Sequence, residues 1–272
     1  MIFEHLYKFQ NVSINSLSAL TNQSMWFANQ TSFNDPFEGI YCLDESIDEN
    51  EIIALGASSL VETQGISHLE ALEVASKRYS ANPAEFREVM IGFAREINKK
   101  LEDYAKNCGI LSLASDIPED SRSQISNMLM WSHYADGLRG FCLKFDAKEL
   151  YDSCGELNHD SKFSWAKMDY NTKPRQIRLA SGANHKNFDY LKALQIKHEQ
   201  WSYECECRLF SSRVGLKMFS KESLKAVYIG GKMPAKEETL LLDIIENQYP
   251  KTEIHKVIVD SGSFSIREGK KM

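Results

Sequence analysis

The chain has 272 residues, 43% of them apolar and 26% charged, and a net charge of −6. That is ample apolar material for a sizeable core in one large domain, while the acidic balance argues against wholesale coating of duplex nucleic acid and leaves room for a local basic groove. No apolar run approaches the roughly 20 residues needed to cross a bilayer.

The N-terminus lacks a signal peptide's basic-then-apolar order. The six cysteines, Cys42, Cys108, Cys142, Cys154, Cys205 and Cys207, show neither C-x-x-C pairs nor zinc spacing. Reduced thiols in a cytoplasmic protein, with no membrane partner and no extensive duplex nucleic-acid surface, are the expectation.

Taken in order, Ile2 to Phe9 alternates into Leu6-Tyr7-Lys8-Phe9 and predicts a first strand. A short helix follows over Asn15 to Asn22, with Ser13 or Asn15 available as cap, then a strand at Met25 to Ala28. The loop Thr31-Ser32-Phe33-Asn34-Asp35-Pro36-Phe37-Glu38-Gly39 is punctuated by Pro and Gly. Loops hung on a rigid sheet often carry chemistry, but Asx-type backbone bonds account equally for Asn34 and Asp35.

From about Ser46 to Asn107 the composition turns helical. Phe86, Val89, Met90, Phe93, Ile97, Leu101 and Tyr104 recur at helical spacing and predict a core-facing stripe. Asn82-Pro83 suits the start of that helix. The reading is a single α+β domain over 1–272, with a mixed or antiparallel sheet and a helical insertion at about 46–107.

Gly109 to Ala114 predicts a buried strand, and Ser123 to Ala135 a helix ending in Trp131, His133 and Tyr134. Asp136-Gly137 would stop that helix, which is what would let His133 and Tyr134, about 100° apart, both face one pocket. Phe141, Leu143 and Phe145 then share one strand face and Cys142 and Lys144 the other. The polar stretch Asp152 to Asn187 reads as a flap around a strand near Trp165 to Tyr170. A helix over Asn187 to Glu199 leads on to Trp201. The C-terminal part reads as a strand at Leu224 to Ile229, a helix at Ala235 to Asn247 and a strand at Glu253 to Asp260, with a frayed last dozen residues.

Tyr203 to Phe210 carries the densest chemistry. Read as one strand, it puts Glu204, Glu206 and Arg208 on a face toward cleft or solvent, and Tyr203, Cys205, Cys207 and Leu209 on a buried face. Like charges about 7 Å apart perturb one another unless paired. Arg208 is the natural partner of Glu206, which leaves Glu204 to bind a sugar hydroxyl or take a proton. A solvated face with a cross-strand ion pair explains the same residues. There is no G-x-G-x-x-G, Walker-type glycine loop, G-x-S-x-G or H-E-x-x-H.

Several blocks together resemble the bacterial proteins catalogued as domain of unknown function 2971. They are Leu6-Tyr7-Lys8-Phe9, Trp26-Phe27-Ala28 with Phe33-Asn34-Asp35-Pro36-Phe37-Glu38, Met130-Trp131-Ser132-His133-Tyr134-Ala135 with Gly140-Phe141, and Trp201-Ser202-Tyr203-Glu204 with Glu206 and Arg208. More distantly, a tyrosine on the first strand, an aromatic middle element and a late Glu-x-Glu are similar to ADP-ribosyltransferase-like domains. That likeness implies NAD in a cleft, with Glu204 or Glu206 and His133 catalytic and Tyr7, Tyr134, Asn34, Asp35 and Arg208 binding the dinucleotide. The chain departs from the better-known patterns in lacking a clear Arg or His on the first strand and a Ser-Thr-Ser strand.

Three readings follow. The first is an enzyme that transfers ADP-ribose from NAD or hydrolyses NAD, as a toxin or phage-defence effector. The second is a metal-dependent phosphoesterase or nuclease using Asp35, Glu38, Glu204, Glu206 and His133 around Mg²⁺ or Mn²⁺. The third is a non-catalytic binding or regulatory module. Whether a substrate would be a small molecule or a nucleic acid stays open.

Overall fold

The computed structural model describes residues 3–116, 123–180, 189–260 and 262–271. In chain order the elements are β1 (His5–Gln10), α1 (Ile14–Thr21), β2 (Ser24–Phe27), β3 (Tyr41–Asp44), α2 (Glu49–Gln64), α3 (His68–Ala81), α4 (Pro83–Asn107) and β4 (Gly109–Ser115). There follow α5 (Met128–Tyr134), β5 (Phe141–Asp146), α6 (Ala147–Leu157), β6 (Phe163–Lys167), β7 (Asp169–Asn171), β8 (Arg175–Arg178), α7 (Asp189–Ala193) and β9 (Ile196–His198). The chain closes with β10 (Glu206–Ser211), β11 (Gly215–Met218), β12 (Leu224–Gly230), α8 (Ala235–Gln248), β13 (Glu253–Asp260) and β14 (Ser265–Lys271). The fold is α+β with a mixed sheet, as the sequence implies.

The chain divides into two compact units. The first comprises 1–33, 108–170 and 199–272, the second 34–107 and 171–198. The second unit contains the helical stretch at 46–107 together with the separate segment 171–198.

The first unit is built on eight strands in the order β14-β13-β12-β5-β1-β4-β10-β6. Only β12 and β13 run parallel, and α8 makes the crossover that a parallel pair requires. Period two sends Leu6, Phe141, Leu143, Phe145, Cys207 and Leu209 to one face, where they form a core with residues of α1, α6 and α8. The opposite face buries Tyr7, Phe9, Ala114, Cys142 and Tyr228 against Met130 and Trp131 of α5. Trp131 is fully buried, donates Nε1–H to the Ile125 carbonyl at 2.8 Å and meets Phe9 edge-on at 5.2 Å. It is a packing residue.

The sheet opens at one seam. β1 pairs with β5 at six positions but with β4 only at Leu6↔Ser115 and Tyr7↔Ala114. Farther along, Ile110 of β4 bridges to Ala28 instead. Lys8 bonds across the splayed strands, its Nζ donating to the Ser112 carbonyl at 2.9 Å, which satisfies an acceptor the ladder leaves without a strand partner.

In the second unit Asp48 and Ser67 cap α2 and α3, and Asn82 accepts from the Glu85 amide at the start of α4. The α4 stripe is shifted from the expected one: Met90, Ala94, Asn98 and Ala105 are buried, while Val89 and Tyr104 are exposed. Small residues let α4 lie close to its neighbours, and Asn98 earns its place by bonding the Ala94 and Leu179 carbonyls and the Tyr190 hydroxyl.

Three further expectations need correction. The stretch read as a flap carries the end of α6 and the strands β6, β7 and β8, and its residues 181–187 lie outside the described ones. The helix expected at 187–199 is a five-residue turn, α7, followed by β9. The C-terminal residues expected to fray form β14, which pairs antiparallel with β13 because Ile266 finds a buried position there.

Candidate functional site

The site lies in the first unit, where β10, β1 and the end of α5 meet. Its central feature is the passage from Trp201 to Arg208. This is not one strand: Glu199–Glu204 is a 3-10 turn, β10 begins at Glu206, and Cys205 between them takes φ 44°. Left-handed backbone is unfavourable for a residue with a Cβ and tends to gather at functional sites. The alternation expected from Tyr203 to Leu209 therefore holds only from Glu206 onward, and Cys205 is half-buried rather than a core thiol.

A second correction concerns exposure. Glu204, Glu206 and Arg208 are 4%, 3% and 1% exposed, so the charged face is interior and not a solvated surface. Arg208 grips Glu206 with Nε to Oε1 at 2.7 Å and Nη2 to Oε2 at 3.2 Å. The Phe33 ring lies 5.2 Å from the guanidinium carbon, a placement that favours a cation. Glu204 is held differently. The Tyr134 hydroxyl donates to its Oε1, and the side-chain amide of Gln124 donates to its main-chain carbonyl at 3.4 Å.

Lys8 is a cation that interacts with both carboxylates. Burial draws its pKa below the usual value, and the charges of Glu206 and Glu204 draw it part of the way back. The phenols nearby all stay protonated. Burial raises Tyr134, Tyr170 and Tyr7 well above the ordinary tyrosine value, helped at Tyr134 by Glu204, while Tyr203 is pushed up to about 12 by burial and the Glu204 charge. Tyr170 accepts the Glu206 main-chain N–H at 2.8 Å.

The end of α5 delivers two side chains at once, as its termination at Ala135 allows. Tyr134 turns to Glu204, and exposed His133 sets Nδ1 2.8 Å from the Tyr203 hydroxyl. His133, Trp201 and Tyr203 form an aromatic cluster with centroid separations of 5.8–6.4 Å. Asn127 fixes this wall by donating to the Tyr203 carbonyl at 2.8 Å. A close turn makes the link from α5 to β5: Gly137 has φ 58°, and a Cβ on Gly140 would sit 2.1 Å from the Gln10 carbonyl oxygen.

The remaining sequence candidates are placed as follows. Tyr7 is 2% exposed, and its hydroxyl accepts from Ser123 at 3.4 Å, inside the α5-side core. Asn34 and Asp35 belong to the second unit, where Asp35 accepts the Phe37 amide at 2.9 Å in the Asx-type bond that its loop suggests. Sequence reasoning missed Gln124, Asn127 and Tyr170, and it weighed Lys8 only as the alternative to Tyr7 for lining a cleft from the first strand. Lys8 had a signal, a lysine inside an apolar strand, whereas Tyr170 had none. Among the described residues no group of three or more His, Cys, Asp or Glu is arranged to hold a metal ion, and no helix is long and apolar enough to cross a membrane.

The first unit is thus an α+β sheet protein with two buried carboxylates in unlike settings, one on a guanidinium and one on a phenol, beside an aromatic wall. Residues 130–209 match the model of the family described as Protein of unknown function (DUF2971), the family that the sequence motifs resemble. The match covers both the Trp-Ser-His-Tyr block and the segment from Trp201 to Arg208. No curated protein and no solved structure matches the chain.

Proposed function

We propose that the site cleaves the bond between nicotinamide and ribose in NAD, passing the ADP-ribose to water or to an acceptor nucleophile. The observation that carries this reading is a buried carboxylate, Glu204, set behind a wall of His133, Tyr134, Trp201 and Tyr203. Breaking the bond from C1′ to the ring nitrogen sends its electron pair to the nicotinamide, which leaves neutral. The ribose carbon becomes oxocarbenium-like, and a fixed carboxylate stabilises that charge. The nucleophile then bonds to C1′ and gives up its proton.

Unlike environments suit unlike roles. Glu206, locked to Arg208, shapes the segment, and Glu204, on a phenol, faces the developing charge. The aromatic rings supply surface for the nicotinamide. NAD enters as a substrate, and spending it would suit a toxin or phage-defence effector in the cytoplasm.

A second reading has its own support. The network from Gln124 and Asn127 to the Tyr203 and Glu204 carbonyls is of the kind that holds a non-catalytic binding module together. Calorimetry with NAD and an assay for released nicotinamide, on the wild type and on Glu204→Gln and Glu206→Gln, separates the two. Saturable binding with release lost in Glu204→Gln supports the enzyme. No heat and no release leaves the module.

A further inference from the structure

Behind the Glu204–Glu206 segment lies a hollow of about 750 Å³, lined in part by Asn127, Lys167, Tyr170, Ser202, Tyr203 and Cys205. That volume lies within the range of small-molecule sites. Neither Glu204, Glu206 nor Arg208 is among its described lining residues, and with the carboxylate site's aromatic wall it shares Tyr203.

Its chemistry is selective. In a chain of net charge −6, the described lining holds one lysine and no carboxylate. By contrast, the hollow beside α6 sets four carboxylates against three lysines, and the one between α5 and β14 pairs a lysine with an aspartate. The first of those is left net negative and the second neutral; this one leaves a positive charge for an anion. It also has two tyrosines to lie against a planar ring, and an amide and several serine hydroxyls suited to sugar hydroxyls.

We propose that this hollow binds a mononucleotide, its phosphate on Lys167, its ribose on Asn127 and the serines, and its base against Tyr170 and Tyr203. The inference does not rest on the NAD reading. It joins the two sites physically, because Tyr170 holds the Glu206 amide and Tyr203 holds His133.

The test is titration of the purified chain with adenosine monophosphate, adenosine and inorganic phosphate, followed by calorimetry. Lys167 is exposed on β6, so Lys167→Met leaves the fold intact. The proposal expects the monophosphate to bind more tightly than adenosine, Lys167→Met to weaken it by about tenfold or more, and Ser202→Trp, which fills the hollow, to abolish it. Glu204→Gln should bind the monophosphate as the wild type does, even if it loses nicotinamide release. No binding at millimolar monophosphate, adenosine binding as tightly as the monophosphate, or Lys167→Met matching the wild type would each overturn the site.

Discussion

Arg208 holds Glu206 by two bonds of one fork while both residues are almost wholly withdrawn from water. Two residues apart on one strand face, they form a short-range pair that β10 alone can align. Removing Arg208 takes from buried Glu206 the cation that it bonds directly. Arg208→Met is therefore expected to cost about 3–5 kcal/mol, read from urea unfolding, and the double variant with Glu206→Gln to recover part of it. A double variant whose loss equals the sum of the losses in Arg208→Met and Glu206→Gln would show the pair to be uncoupled.

Tyr134 and Glu204 make a smaller but functional contact. Tyr134→Phe should lower stability by about 1 kcal/mol or somewhat more, since it leaves a buried carboxylate short of one donor. Nicotinamide release, if present in the wild type, should fall in Tyr134→Phe and vanish in Glu204→Gln. A Glu204→Gln protein with undiminished release removes Glu204 from the chemistry.

Cys205 offers a test of backbone strain. Glycine occupies the left-handed region without penalty, so Cys205→Gly is expected to gain up to about 1 kcal/mol. Cys205→Val should lose stability, because branching at Cβ aggravates the same clash. The urea midpoints of the two variants decide this, and a valine protein as stable as the glycine one contradicts the backbone assignment.

Alkaline pH should weaken the fold. Burial pushes the Cys207 and Cys154 thiols from about 9 up to about 12, with the Glu206 charge adding to the effect at Cys207, and Tyr203 moves from about 10 to about 12. Above pH 9 the unfolded chain sheds protons that the folded chain keeps, so the free energy of unfolding falls as pH rises. The contribution is fully present below about pH 9 and is lost through about pH 12. Urea midpoints measured from pH 7 upward should decline beyond 9, with Cys207→Ala declining less steeply. In the native state Cys42 should react with a thiol reagent much faster than Cys142, Cys154 or Cys207, which are buried.

Local signals carried well. The Ser13 cap, the alternation of Phe141, Leu143 and Phe145, the start of α4 at Asn82-Pro83 and the Glu206–Arg208 pairing all depend on residues a few positions apart. Each was legible in the sequence, with Asn15 left beside Ser13 as a possible cap, and so was the likeness to the family whose model matches residues 130–209, through blocks such as Met130 to Ala135. The α4 stripe was legible only in part, because which side of a helix is buried depends on what packs beside it, and Val89 and Tyr104 have the right period but the wrong neighbours.

The sequence by itself determined the α+β class, most strand and helix positions and the concentration of polar chemistry between Trp201 and Arg208. Those follow from periodicity, capping and turn residues, which act over a few bonds. Tertiary structure alone decided that the Glu204–Arg208 face is interior, that Lys8 bridges an opened seam between β1 and β4, and that Tyr170 and Tyr134 reach Glu206 and Glu204 from distant elements. It also decided that the C-terminus is a strand, because an edge residue such as Ile266 becomes buried only once β13 is there to receive it. Burial and pairing across long separations are set by which surfaces the folded chain brings together, and no local pattern records that.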